Sequence, residues 1–188
     1  MVDGDSGTKP ARRVAEAARR VAEAAIDVPD FPLPGIVFKD LTPLFADGPA
    51  FAATIDDIVG HYGPGSFDVV AGIEARGFMI GAAVAYAARV GFVPVRKAGK
   101  LPREVLAESY ALEYGEATLE IHADSFTPGQ RVLLVDDVLA TGGTAAATWS
   151  LIEQAGAVVT GFTVLLELGF LDGRKRLHPR PVHALLRV

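Results

Sequence analysis

From Arg131 the chain reads RVLLVDDVLATGGTAAATWSLIEQAG, and no other stretch restricts the possible folds as much. Arg131 to Val135 is a strongly apolar run, readable as a strand buried on both faces. It ends in two adjacent carboxylates, Asp136 and Asp137, and continues through Ala140-Thr141-Gly142-Gly143-Thr144 directly into a helix, Thr144 to Ala155, closed by Gly156. Two carboxylates side by side at the end of such a strand are costly to desolvate together unless a cation or a hydroxyl-rich ligand compensates. The Thr-Gly-Gly-Thr stretch supplies backbone N–H groups clear of side chains, two hydroxyls and the positive end of a helix dipole, the combination that binds a phosphate. Each piece alone has a plainer reading, in which Thr144 caps its helix and the aspartates sit in solvent. Joined directly after a strand, they favour a sugar phosphate, its diol on the acids and its phosphate on the loop.

The surrounding pattern is α/β. Ala50 to Tyr62 has helical period and ends in Gly63-Pro64-Gly65; Phe67 to Ala71 then reads as a short buried strand. Phe78 to Val90 is a second helix and Gly91 to Val95 a second strand, while Ala157 to Leu166, rich in Val and Thr, is a further one. Strands alternating with helices imply a mostly parallel central sheet flanked by helices, with ligands at the carboxyl ends of the strands. Residues 97 to 109 contain Gly99, Pro102 and many charges without clear period and read as a long loop; Ser109 to Tyr114 and Ala117 to His122 flank Gly115-Glu116 as a hairpin. At the other end, residues 11 to 24 spell ARRVAEA twice, which predicts a helix over 11–25 after a flexible start at 1–10. Two heptads are too few for a coiled coil, so the plain reading is a helix laid on the domain surface. Pro29, Pro32 and Pro34 stop it and impose a constrained loop.

Composition narrows the function classes. With 188 residues, half of them apolar, the chain is of the size for one domain with a real core. A net charge of −5 argues against non-specific binding to nucleic acid or anionic membrane. The absence of cysteine removes disulfides, thiolate metal sites and cysteine nucleophiles. No apolar stretch approaches the roughly 20 residues of a membrane span, and the acidic N-terminus does not look like a secretory signal; cytoplasmic residence is expected.

VLLVDDVLATGGT resembles the phosphoribosyl-pyrophosphate (PRPP) signature of the type I phosphoribosyltransferases, and DVPDFPLPGIVFKDLTPLF, AGIEARGF, RKAGKLP and SYALEYG are similar, in the same order, to segments of the adenine-using members of that family. The similarity runs from about Val28 to Leu177. It implies a type I phosphoribosyltransferase-like fold with a small N-terminal hood and a flexible lid loop, PRPP and adenine as substrates, AMP and pyrophosphate as products, Mg²⁺ as the assisting cation and a homodimer. Position by position, it implies that Asp136 and Asp137 contact the ribose hydroxyls, that Ala140, Thr141, Gly142, Gly143 and Thr144 bind the 5′-phosphate, and that Ala75 and Arg76 form the pyrophosphate loop with Arg96, Lys97 and Lys100 at or near the leaving group. Val37-Phe38-Lys39 is similar to the segment whose main chain reads the purine edge. Glu113 matches a position proposed to contact or protonate the purine N7 side, and Tyr114 a loop role.

The residues can be checked against the chemistry this implies. Breaking the anomeric C–O bond builds positive charge on the ribose and negative charge on pyrophosphate, so anions are needed near the sugar and cations near the leaving group. Between Arg76 and Arg103 lie six basic residues (Arg76, Arg89, Arg96, Lys97, Lys100 and Arg103) and no acid. A solvated basic face is the plain reading for Arg89. Phe38 is the stacking candidate for the base, with core packing as its alternative, and a surface hairpin glutamate is the alternative for Glu113. Excluding water from a cation-like sugar requires a lid, and residues 97 to 109 are the candidate. A six-oxo purine enzyme would place a lysine in the base pocket near the strand that follows the phosphate-loop helix, and Ala157 to Leu166 has none. Transfer to hypoxanthine, guanine or xanthine is the neighbouring alternative; a PRPP-sensing regulator is a third, disfavoured by the lack of a basic nucleic-acid surface or a helix-turn-helix.

Overall fold

A computed structural model of the chain describes residues 8–31, 33–111 and 115–188, with side chains from residue 15 onward. In chain order its elements are α1 (Thr8–Ala24), β1 (Ile26–Pro29), β2 (Val37–Asp40), α2 (Thr42–Ala46), α3 (Gly48–Tyr62), β3 (Val69–Ile73), α4 (Arg76–Ala88), β4 (Gly91–Lys97), β5 (Val105–Ala111), β6 (Glu116–His122), β7 (Arg131–Leu139), α5 (Gly143–Gln154), β8 (Val158–Glu167), α6 (Gly173–Leu177) and β9 (Val182–Arg187). Seven strands form one sheet in the order β5-β6-β4-β3-β7-β8-β9. The five from β4 to β9 are parallel, and the antiparallel β5–β6 hairpin is attached to β4 at Arg96↔Glu120 and Lys97↔Leu119. The expected α/β class is therefore present, with the antiparallel pair confined to one edge.

The sheet has a core on each face. Val132 and Leu134 of β7 join Trp149, Leu151 and Ile152 of α5 on one side; Leu133 and Val135 join Ile58 of α3 and Ile80 and Val84 of α4 on the other. Burial on both faces is why β7 reads as an unbroken apolar run rather than an alternation. Each such side chain, fully buried, contributes about 1.5–3 kcal/mol. Helix α1 closes the second core by burying Ala17 and Val21 against α2, α3 and β9. That is the surface-laid helix expected from ARRVAEA, although it starts at Thr8, inside the stretch expected to be flexible, and it ends at Ala24 because Ile26 already pairs with Asp40 in β1.

Four expectations need correction. The strand expected over Arg131 to Val135 continues to Leu139, because β8 goes on pairing with it through Asp136↔Val164 and Leu139↔Glu167; the acid pair lies inside a strand. The constrained loop expected after Pro29 is present between Pro29 and Val37, but it joins two strands that were not expected, β1 and β2, paired antiparallel. The long loop of 97–109 is irregular only over 98–104, since β5 pairs with β6 from Val105↔His122 to Ala111↔Glu116. Its inward row is Leu106, Glu108 and Tyr110, and the charge in the middle of that row hid the alternation. Finally, α6 and the parallel edge strand β9 occupy a C-terminal segment for which the sequence reading offered no element.

Candidate active site

The carboxyl ends of β3, β4 and β7 converge, as the rule for open parallel sheets requires. On β7, Asp137 is 5% exposed and its carboxylate pairs with Arg76 at the start of α4. Asp136 accepts from the Asp137 main-chain N–H at 2.9 Å. Its enclosure, and then the charge of Asp137, push the Asp136 carboxyl well above the ordinary carboxylate range. A cavity of about 80 Å³ lies between Asp136, Phe162 and the loop from Ala140 to Thr144. Gly142, with φ 78°, is the N-cap of α5, and a Cβ on it would come within 2.6 Å of the Gly173 carbonyl oxygen. Only glycine satisfies both the left-handed backbone and that close approach. Thr144 is thus the second residue of α5, not its cap, and its hydroxyl meets Tyr110 Oη at 3.0 Å.

Two cations of the site share one carboxylate. Glu74, two residues before Arg76, accepts from Arg96 Nε at 3.2 Å, the Lys97 main-chain N–H at 3.0 Å and Lys100 Nζ at 2.6 Å. Burial of Glu74 opposes its ionisation, but these three donors outweigh it and hold the carboxyl down at about 2. Among the described residues the Lys97 ammonium has no ion-pair partner. Two cations of the segment that is basic and acid-free, Arg96 and Lys100, thus share one carboxylate from just outside its N-terminal boundary. The Glu74–Ala75 peptide that leads into Arg76 is cis.

Arg76 turns away from Arg96 and Lys100. Its guanidinium lies 5.0 Å from the Phe38 ring centroid while its Nε serves Asp137, so it joins the β1–β2 hood to the acid pair. Phe38 is half-buried, with Phe31 edge-on at 5.2 Å between ring centroids. Val37 is exposed, and Lys39 Nζ donates to Asp27 at 2.5 Å. Strand β2 pairs only with β1, which leaves its outer main-chain edge open among the described residues.

Two basic residues of the segment stay outside the site, Arg89 in line with its plain reading as a solvated face. Arg103 pairs with Asp124, and Arg89 is the exposed C-cap of α4, over Tyr86. Glu113 and Tyr114 lie outside the described residues. Glu74, Tyr110 and Gly173 were missed. Glu74 was visible as one of two acids bordering the basic segment, with Glu104 at its other end; Asp172-Gly173 was visible only as a turn, with nothing to link it to a loop some thirty residues earlier.

The sequence model of the family described as "Phosphoribosyl transferase domain" matches residues 45–181. The adenine phosphoribosyltransferase of Salinispora arenicola is 69% identical over 187 residues, covering 100% of this chain and 96% of that protein. The crystal structure of adenine phosphoribosyltransferase from Rhodothermus marinus has a TM-score of 0.88 at 48% identity, over 93% of this chain and 99% of that one. The Saccharomyces cerevisiae enzyme, complexed with D-2,5-dideoxy-2,5-imino-altritol 1,6-bisphosphate and adenine, has a TM-score of 0.86 at 40% identity, over 92% and 99%. Agreement this extensive in sequence and in fold means that the chain belongs to the adenine phosphoribosyltransferase family.

Proposed function

We propose that this chain, as one phosphoribosyltransferase domain, transfers the 5-phosphoribosyl group of PRPP to N9 of adenine, giving AMP and pyrophosphate in purine salvage. The observation that carries the reading is the junction on β7, where a paired acid motif passes within one strand and one turn onto the N-terminus of α5, beside a small cavity. As the anomeric C–O bond breaks, Asp136 and Asp137 hold the ribose hydroxyls and face the positive charge on the sugar. The loop from Ala140 to Thr144 holds the 5′-phosphate with main-chain N–H groups and hydroxyls. Lys97 receives the departing pyrophosphate, joined by Arg96 and Lys100 as pyrophosphate takes over their contacts from Glu74. Ala75 lets the main chain approach that group. Phe38 presents a ring face to the purine, and the open edge of β2 at Val37 to Lys39 reads its hydrogen-bonding edge. Glu113 keeps its assignment to the purine N7 side, and Tyr114 its loop role, on family resemblance.

Mg²⁺ suits this arrangement because it binds phosphate and hydroxyl oxygens, keeps waters and needs few protein ligands. Among the described residues no group of three or more His, Asp or Glu gathers into a protein-only cage. With Asp137 engaged by Arg76, Asp136 is the carboxylate left to help hold the ion; bound there, it would offset the charge of the pyrophosphate. The exposed side of α4, with Met79, Ala82 and Tyr86, carries no charge before Arg89 and supports a homodimer. No described helix is long and apolar enough to cross a membrane. The cytoplasm is the proposed compartment, and neither nucleic acid nor membrane is a proposed partner.

The test mixes the protein with PRPP, Mg²⁺ and equal concentrations of purine and pyrimidine bases and identifies the nucleotide formed. AMP is expected to dominate; IMP or GMP forming faster would overturn the choice of base, and no nucleotide at all would overturn catalysis.

A further inference from the structure

Tyr110 takes part in no step described above, although it stands on the phosphate loop. Its hydroxyl lies 3.0 Å from Thr144 Oγ1. Its ring fills the space beside Gly143, where a Cβ would come within 3.3 Å of Tyr110 Cδ2. The same strand is tied to the same helix again where Gln154 Nε2 donates to Glu108 at 2.7 Å. Strand β5 is thus fastened to α5 at the first turn and at the last residue of the helix, so the ring has a fixed seat.

A hydroxyl owns one proton and two acceptor lone pairs. A phosphate oxygen that meets Thr144 can only accept from it, so the Thr144 proton must point at the phosphate and the lone pairs must be filled by other donors. The Tyr110 O–H is the donor in place. Donation from Tyr110 to Thr144 Oγ1 fixes the direction of the Thr144 proton and polarises that O–H, since chained hydrogen bonds strengthen one another. We infer that Tyr110 is a positioning residue for the 5′-phosphate, acting through the Thr144 hydroxyl and making phosphate affinity depend on the seating of the β5–β6 hairpin. The inference rests on the phosphate-loop reading above.

Binding of ribose 5-phosphate and of pyrophosphate is measured by calorimetry on the full chain and on Y110F, which keeps the ring and loses only the hydroxyl. Y110F should weaken ribose 5-phosphate by about 3- to 10-fold, the range for one neutral hydrogen bond, and leave pyrophosphate unchanged. In steady state its KM for PRPP should rise with kcat nearly constant. In a T144V background, Y110F should cause no further loss. Equal ribose 5-phosphate affinity in Y110F and the wild type overturns the inference, as does an equal loss for both ligands or losses that multiply across the double variant. If T144V alone no longer binds ribose 5-phosphate, the comparison of the two ligands in Y110F decides. Failure of the wild type to bind ribose 5-phosphate would instead refute the phosphate-loop reading itself.

Discussion

Asp136 and Asp137 are chemically identical neighbours to which the fold gives opposite surroundings. Asp137 is buried with a guanidinium beside it, whereas Asp136 is half-buried with a carboxylate for a neighbour. Like-charge repulsion in the acid pair is therefore relieved by changing Asp136. Because its folded-state pKa is raised, ionisation of Asp136 opposes folding as pH rises, and Asp136→Asn removes that opposition while its Oδ1 still accepts from the Asp137 N–H. Asp136→Asn should hold or raise the melting temperature at pH 7, whereas Asp137→Asn strands the Arg76 charge and should cost about 1–2 kcal/mol, Arg76 being partly in solvent. Both variants should lose turnover by roughly 10²-fold, the scale for one preorganised electrostatic contact. Thermal melts beside AMP-formation rates check this, and equal melting temperatures for the two variants would contradict the assigned surroundings.

Among the elements, α6 is too short to have been expected, yet it is the wall behind the proposed phosphate loop. Gly173 opens it, and a Cβ there would press on the Ala140 carbonyl oxygen well inside van der Waals contact, backbone against backbone. Neither side can yield without moving the loop. Gly173→Ala should therefore raise the KM for PRPP by about 10-fold or more and destabilise by about 1–3 kcal/mol, the cost of overpacking. Gly48→Ala, with open space around its Cβ, is the control and should change neither. Steady-state kinetics and urea denaturation of the two variants make the comparison. Normal PRPP kinetics in Gly173→Ala would mean that the loop does not lean on α6.

Over the whole molecule, the contact between α3 and the edge strand β9 couples stability to pH. The His61 and His183 rings stack at 3.6 Å between centroids, joining α3 to β9. Burial, then the neighbouring His61 and Arg174, depress the His183 pKa from 6.5 to about 4. Between those values the unfolded chain binds the extra proton, so stability present above pH 6.5 is lost as pH falls toward 4. Glu74 acts further down, losing its contribution between pH 4.5 and about 2. Denaturation midpoints at pH 7, 5.5 and 4 should fall in wild type with a slope of at most about 1.4 kcal/mol per pH unit from this histidine. His183→Phe should flatten the interval from 6.5 to 4 and leave the lower one unchanged. An identical pH profile in the variant would assign the loss to other groups.

By itself the sequence determined the parallel α/β framework, because Val- and Leu-rich runs spaced by helices have few other ways to bury both faces. It also carries the proposal of a phosphate loop, since the acids, glycines and threonines of that stretch are contiguous and their spacing is the signal. Only the tertiary structure decided what depends on residues far apart in the chain. Nothing local announces that Glu74 pairs with both Arg96 and Lys100, that Arg76 turns instead to Phe38 and Asp137, or that Gly173 backs Ala140. The strand β5 escaped for the same reason: its inward charge is acceptable because Gln154, more than forty residues later, is there to meet it. Periodicity and adjacency are written in the chain, but the pairing of a charge is settled by which elements the sheet brings side by side.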